Sequence, residues 1–329
     1  MKATKPLARI LGYAAATAGL LGAITGCNDI GSLKTRSGGE PYEVVLIADN
    51  DTARLTLAEA LQTDIAGLPQ RENAFDVTPI KASSPNQATR YARCIVIAET
   101  GSAESRSTAI RYEKDAYASP QLIIYVSSPT AAVLQKDVMR VKAPLARLIN
   151  RFETNDAIAE LHRHNNPDGA KAVADATGCS ILIPDYMQAT KRGKDFIWLS
   201  DNSKTVMRNI CVYTYPGTDN SAGTLVAKRD SVMKANIAGA TPGSYMRTST
   251  QTPVYHATAG KTGRQYCEVH GLWETEGDIM GGPFVSRAIK DPARNRTVVA
   301  EAFVYAPDKP KRNILKQLEA ALTTLRPTQ

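Results

Sequence analysis

The chain has 329 residues, of which 43% are hydrophobic and 22% charged, as in an ordinary globular protein with one large domain or two smaller ones. Its formal net charge of +8 is spread along the sequence without a basic stripe or recognition motif, so we expect no nucleic-acid partner. No P-loop, GxGxxG, GxSxG or HExxH motif occurs. The sequence therefore predicts no cofactor and no metal site, and it identifies no catalytic residue.

The first 27 residues have the pattern of a signal peptide. Lys2, Lys5 and Arg9 form a basic start, and the 15 residues of the apolar segment Ile10–Ile24 are short for a membrane span, which needs about 20. The following Ile-Thr-Gly-Cys sequence, ending at Cys27, resembles the lipobox of bacterial lipoproteins. The resemblance implies cleavage after residue 26, a diacylglycerol thioether on Cys27 and acylation, for example by palmitate, of the new amino group. The alternatives are an ordinary signal peptide that ends in Cys and an uncleaved helix.

Residues 27–40 are predicted to form a flexible tether, because they are rich in Gly, Ser, Lys and Asn. A coil of this length spans about 20 Å, which would keep the folded body close to the membrane. Without residues 1–26 the chain has 37 basic and 32 acidic residues, a net charge of +5. We expect a cell-envelope location, bound to membrane lipid through Cys27. The outer membrane is favoured over the inner membrane, and the choice of membrane and of leaflet is left open.

After Pro41 the first half alternates strand-like and helix-like segments. An apolar run predicts a strand at 43–48, and apolar residues at helical spacing predict a helix at 52–65. Further strands are predicted at 75–81, 93–98, 108–112 and 121–127. A long helix begins near Pro129 with a kink at Pro144, and a second helical piece continues to about His164.

The second half repeats this order. Helices are predicted at 222–237 and 310–325. Strands are predicted at 209–215, 253–257, 264–273, 283–289 and 297–305.

Short matches suggest that the two halves are related, since Asp-Ile-Ala-Gly at 64–67 and Asn-Ile-Ala-Gly at 236–239 follow equivalent helices. We predict an α+β fold of antiparallel sheets with helices packed on one face and an internal duplication of a β-α-β-β-β-α unit. The two repeats would be residues 41–129 and 206–329. Residues 130–205 would be a helical insertion with two short strands. Chance similarity of short segments is the alternative.

Four cysteines remain in the body: Cys94, Cys179, Cys211 and Cys267. Each lies in an apolar, strand-like segment, where a free thiol behaves as a small buried hydrophobic group. An extracytoplasmic compartment also permits disulfides, and four cysteines allow three pairings. Both interpretations stay open at this point.

The most unusual stretch is Gly271–Ser286, with the sequence GLWETEGDIMGGPFVS. Its aromatic and acidic side chains could stack on a sugar, form an acid–base pair or bind Ca²⁺. The alternative is structural: a strand, an acidic turn and a close backbone approach at the two glycines, with Trp and Phe in the core. The candidate ligand-binding or structural residues are Trp273, Glu274, Glu276, Asp278, Met280, Gly281, Gly282, Phe284 and Ser286, together with Tyr245.

This block resembles the signature of an uncharacterised family of Bacteroidota lipoproteins, domain of unknown function 4837. Shorter pieces resemble the same family, among them Gly-Ser-Tyr-Met at 243–246 and Phe-Val-Tyr-Ala-Pro at 303–307. The resemblance covers roughly residues 41–325 and implies a lipoprotein of the cell envelope. It implies no activity, cofactor or catalytic residue.

Two classes of function follow as expectations. The first is a non-enzymatic binding or structural component that contacts an envelope protein or glycan. The second is an envelope glycan-active hydrolase or transferase that uses two of Glu274, Glu276 and Asp278. A glycosidase would hold two such carboxylates about 5–10 Å apart across an open cleft.

Overall fold

The structure is a computed structural model that describes residues 34–83, 87–101, 106–260 and 265–328. The predicted signal peptide, Cys27 and the start of the predicted tether lie outside the described residues. Two compact units are present. The first contains the described residues up to Thr63 together with Phe75–Phe152, and the second contains Asp64–Ala74 and the described residues from Glu153 onward.

The first unit is built on a five-stranded sheet in which most strands are parallel. Along the sheet the strand order is β2-β1-β3-β5-β4, and only β4 runs antiparallel to its neighbour. Helix α1 (Asp51–Leu61) connects β1 to the parallel strand β2. The strands are β1 (Glu43–Ala48), β2 (Asp76–Lys81), β3 (Cys94–Thr100), β4 (Ala109–Lys114) and β5 (Leu122–Ser128).

This strand direction corrects the expectation of antiparallel sheets for the first unit. A helix between two adjacent strands returns the chain to the same end of the sheet, so the second strand starts parallel to the first. The apolar runs of β1, β3 and β5 are nearly continuous, which is the pattern of strands in parallel sheets. That signal was present in the sequence.

The described part of the predicted tether is bonded to the first unit. Thr35 accepts a hydrogen bond from the amide of Ser119 at 3.0 Å, and Gly38 accepts one from the amide of Arg93 at 2.8 Å. Gly38 also donates to the carbonyl of Tyr91 at 2.9 Å. The expectation of a flexible tether up to residue 40 therefore does not hold at Thr35 and Gly38, whose backbone groups pair with the folded body.

The second unit is built on an eight-stranded antiparallel sheet, counted over the described residues. The strand order is β10-β12-β13-β14-β9-β8-β7, and β11 also pairs with β12. Its strands are β7 (Ala189–Gly193), β8 (Phe196–Ser200), β9 (Met207–Pro216), β10 (Tyr245–Thr248), β11 (Tyr255–Ala259), β12 (Tyr266–Glu276), β13 (Gly281–Asp291) and β14 (Arg296–Tyr305). The two-residue strands β6 (Cys179–Ser180) and β15 (Arg326–Pro327) pair with each other.

Helices cover both faces of this antiparallel sheet. On one face, α4 (Ala222–Asn236) packs Leu225 and Met233 into a cluster with Trp273 and Phe303. On the other face, α3 (Pro167–Thr177) and α5 (Arg312–Leu322) pack against the alternate residues of the same strands. The α+β class is confirmed, whereas the expectation of helices on a single face is wrong for this unit.

The predicted duplication is not shown by the structure. Strand β1 pairs with β2 and β3, whereas its predicted counterpart β9 pairs with β14 and β8. The predicted insertion also contributes to the second sheet, because β7 and β8 extend it beyond β9. Helix α2 (Ala131–Arg163) runs through Pro144 as one element, where two helical pieces were expected.

The four body cysteines are free and buried. Burial raises the pKa of the Cys179 thiol and places that of Cys211 well above its usual range. Of the two interpretations left open by the sequence, the structure supports buried thiols. None of the helices in the described part of the chain combines the length and hydropathy that a membrane span requires.

Candidate functional site

The Gly271–Ser286 block forms the β12–β13 hairpin. Trp273 lies opposite Gly282, and Glu274 lies opposite Gly281. The turn passes through Gly277, whose φ of 79° lies in the region that favours glycine. The hairpin therefore carries the candidate residues on two paired strands and on the turn between them.

Trp273 is a core residue, because its side chain is only 3% exposed. Its indole Nε1 donates to the carbonyl of Val304 at 3.3 Å. The ring lies edge-on to Phe303, with centroids 5.6 Å apart, and it also contacts Tyr305 at 6.5 Å. An indole enclosed in this way has no free face on which a sugar could stack, so the structure supports the structural interpretation of Trp273.

Gly282 permits a close approach of three strands. A Cβ atom at this position would lie 2.0 Å from the carbonyl oxygen of Val304 and 3.1 Å from Nε1 of Trp273. At the neighbouring Gly281, a Cβ atom would lie 3.0 Å from the carbonyl oxygen of Trp273. The two glycines are thus explained by packing between backbones.

Both glutamates of the block are bound to one cation on the adjacent strand β10. The guanidinium of Arg247 lies 2.7 Å from Oε1 of Glu274 and 2.9 Å from Oε2 of Glu276. The shared cation neutralises the two carboxylates and holds them against β10. This arrangement differs from the open carboxylate pair that glycoside hydrolysis needs.

Asp278 braces the turn of the hairpin. Its carboxylate accepts hydrogen bonds from the amides of Ala240, at 3.0 Å, and Ile279, at 2.7 Å. The side chain of Ile279 is 101% exposed, the highest exposure of a large hydrophobic residue in the described chain. The exposed end of the block is therefore a braced turn that presents one apolar side chain to solvent.

Three further candidates lie around the same hairpin. The ring of Tyr245 contacts the ammonium of Lys234 on α4, 4.2 Å from the ring centroid. Met280 is half-buried against the cluster that contains Trp273, and Phe284 is fully buried in it. These residues connect the hairpin to the α4 face of the sheet.

A buried ion pair beneath α4 was missed by the sequence analysis. Arg229 is 1% exposed and Glu301 is fully buried. The guanidinium Nε lies 3.0 Å from both carboxylate oxygens of Glu301, and a terminal nitrogen lies 2.9 Å from one of them. Ser286 donates its hydroxyl to the same carboxylate at 2.6 Å, and Thr248 accepts a hydrogen bond from Arg229 at 3.0 Å. The network gives the predicted residue Ser286 a defined contact.

Burial has the largest effect on the pKa of Glu301 in this network. It raises the pKa of Glu301, although the charge of Arg229 and the hydroxyl of Ser286 act in the opposite direction. Arg229 also lies 3.8 Å above the ring of Phe284, which is a cation–π contact. A signal in the sequence could have identified the pair: Arg229 lies four residues from both Leu225 and Met233, on the buried stripe of the helix.

A second group of polar residues lies where β1 and β3 end. Ligands of open parallel sheets bind outside the carboxyl ends of the strands, where the strand order reverses. Here the hydroxyl of Thr100 donates to the carboxylate of Asp49 at 3.3 Å. Asn50 caps α1 by accepting a hydrogen bond from the amide of Ala53 at 3.1 Å. Asp51 forms an ion pair with Arg54 at 2.6 Å. These groups already bind one another. In the described ranges, no group of three or more His, Cys, Asp or Glu side chains is placed to hold a metal ion.

Two family models match successive parts of the chain. Residues 166–324 match the model of Domain of unknown function (DUF4837), and residues 37–162 match that of Domain of unknown function (DUF8532). The resemblance to domain of unknown function 4837 was expected over residues 41–325, so its extent is corrected to the second half. No curated protein matches the chain.

The chain is weakly similar to several solved structures, including two of the protein Mog1. One is the crystal structure of the Ran-binding protein Mog1p of Saccharomyces cerevisiae, with 9% identity, a TM-score of 0.32 and coverage of 46% of this chain and 91% of that chain. The other is a mutant of protein Mog1, with 9% identity, a TM-score of 0.32 and coverage of 46% and 92%.

Proposed function

We propose that this chain is a lipid-anchored protein of the cell envelope, and that its folded body binds a partner at the membrane surface without catalysing a reaction. The proposal that the chain binds a partner rests on the arrangement of the side chains in the Gly271–Ser286 block. Its two glutamates are bound to Arg247, Trp273 is in the core, and Ile279 is displayed on a braced turn.

The anchor is supported by the agreement of three sequence features. A basic start, an apolar segment of 15 residues and the tetrapeptide that ends in Cys27 occur in the order that lipid attachment requires. Several acyl chains, at about 0.8 kcal/mol per buried CH₂, anchor a protein stably, whereas a single chain binds a membrane only reversibly. Because Thr35 and Gly38 are hydrogen-bonded to the first unit, the proposed tether ends before residue 35 and not at residue 40.

Replacing Cys27 by Ala should move the protein from the membrane fraction to the soluble fraction. The thioether is the attachment point, so its loss removes the acyl chains. The measurement is fractionation of the native host, combined with the intact mass of the purified chain, which reports the lipid directly. Cys267→Ala is the matched control, because Cys267 is a buried thiol in β12. A Cys27→Ala protein that stays on the membrane with unchanged mass would contradict the anchor.

The binding part predicts that Ile279→Ser removes a contact with the partner. Exposed apolar side chains on a rigid support are well suited to fill a partner's pocket, since little conformational entropy is lost. We expect the amount of partner cross-linked to the chain in its own membranes to fall at least about tenfold. Met139→Ser is the control, because Met139 is 78% exposed on α2 in a different part of the chain.

The outcomes of this comparison are distinct. If the amount of cross-linked partner falls equally for Ile279→Ser and Met139→Ser, the loss comes from adding any polar side chain to the surface. If it does not fall for Ile279→Ser, the hairpin turn is excluded as the contact. Cleavage of purified envelope glycan by the wild-type chain, abolished by Glu274→Gln, would instead favour the glycan-active enzyme.

A further inference from the structure

Strand β11 (Tyr255–Ala259) forms an open edge of the second sheet. On one side it pairs with β12 over five residues, from Tyr255 opposite His270 to Ala259 opposite Tyr266. On its other side, no backbone hydrogen bond to another described residue is present, and all five residues are exposed. The neighbouring strand β10 is different, because α4 and a bridge between Ala238 and Tyr245 cover its outer side.

The composition of β11 sets it apart from the other long edge strands of the described chain. Natural proteins protect exposed edges with charged residues and proline, which oppose pairing with another strand. Strand β2 contains Asp76, Pro79 and Lys81, strand β4 contains Arg111, Glu113 and Lys114, and strand β7 contains Lys191 and Arg192. Strand β11 reads Tyr-His-Ala-Thr-Ala and has no Asp, Glu, Lys, Arg or Pro.

We propose that the β11 edge pairs with the β11 edge of a second copy of this chain, in an antiparallel arrangement about a two-fold axis at Ala257. This inference does not depend on the proposed anchor or on the hairpin turn. It identifies a homodimer in which the two eight-stranded sheets join into one.

The residues of β11 are complementary to themselves in this register. Tyr255, the largest residue, lies opposite Ala259 of the second copy, and His256 lies opposite Thr258. Ala257 lies opposite its own equivalent, where a small side chain lets the backbones approach. A two-fold interface brings the same patch of both copies together. Because β11 has no lysine, arginine or carboxylate, the pairing places no like charges opposite each other.

The pairing is tested by disulfide cross-linking of the full chain in mild detergent. The Cα atoms of residues directly opposite in an antiparallel pair are about 4.5–5.5 Å apart, which suits a disulfide. We expect Ala257→Cys to form an intermolecular disulfide under mild oxidation. Thr190→Cys, on the exposed edge strand β7, is the control and should give at most about a tenth of the cross-linked product. The four body cysteines are buried and serve as an internal background in both variants.

Charge variants test the register in the Ala257→Cys background. His256→Lys combined with Thr258→Lys places like charges opposite each other in the dimer, and we expect cross-linking to fall at least about tenfold. His256→Glu combined with Thr258→Lys places opposite charges there and should retain it. His256 and Thr258 are exposed, and in the single chain the imidazole lies 3.2 Å from the carbonyl oxygen of Asn220 and the hydroxyl lies 3.4 Å from Sγ of Cys267. Both double variants lose these two contacts, so the comparison between them isolates the effect of charge.

The result that would overturn the proposal is equally specific. Cross-linking at residue 257 no higher than at residue 190, an equal response of the two charge variants, or a disulfide from residue 257 to a different protein would each exclude the two-fold strand pairing.

Discussion

Replacing Arg229 by Met should lower the free energy of unfolding by about 3–5 kcal/mol, because the variant leaves the carboxylate of Glu301 buried without its cation. Both partners of this ion pair are almost fully enclosed, at 1% and 0% exposure. Chemical denaturation of the wild-type and variant chains measures the difference. The exposed pair Lys171–Asp175, at 2.8 Å, is the control, and Lys171→Met should cost less than about 0.5 kcal/mol.

The double variant Arg229→Met with Glu301→Leu separates the cost of a broken pair from the value of an intact one. Burial raises the pKa of Glu301 in spite of the nearby guanidinium. The contacts that the carboxylate makes in the protein therefore stabilise its charge less than water does. We therefore expect the double variant to recover most of the stability that the single variant loses. A double variant as unstable as Arg229→Met would show that the ion pair itself stabilises the second unit.

Gly282→Ala should lower the free energy of unfolding by about 3 kcal/mol, at the upper end of what overpacking costs. The added Cβ atom would lie 2.0 Å from the carbonyl oxygen of Val304, which belongs to a central strand of the sheet and cannot rotate away. The hydrogen bond from Trp273 to the same carbonyl would be displaced as well. Thermal and chemical unfolding of the purified chain measure the effect.

Gly223→Ala is the control for this substitution. Gly223 lies in the first turn of α4. Apart from its chain neighbours and the helix backbone, no atom lies within 4 Å of an added Cβ there, so the change should be neutral or slightly stabilising. If Gly282→Ala were as stable as Gly223→Ala, strands β13 and β14 would have to separate freely, and the packing explanation of the two glycines would be wrong.

Local patterns in the sequence identified most strands and helices of the body. The segment Glu43–Ala48 was predicted as a strand with its observed bounds, and the 222–237 helix is within one residue of α4. Both predictions rest on hydrophobic periodicity and on capping residues, which act over a few neighbouring positions. For the same reason the chemistry of Gly271–Ser286 was recognised as unusual from the sequence, with a structural explanation offered beside the functional one.

Long-range contacts decided what those local patterns could not. Whether Glu274 is an open carboxylate or a partner of Arg247 depends on strand pairing between residues 27 positions apart, and the Arg229–Glu301 pair joins positions 72 apart. The direction of β2 relative to β1 depends on how α1 packs, which strand propensity does not encode. Sequence by itself determined most of the elements and the α+β class, and it alone supports the proposed anchor at Cys27. Tertiary structure alone decided which charges are paired, which glycines face a backbone and which strand edge stays open, because these depend on residues that are distant in the chain and adjacent in space.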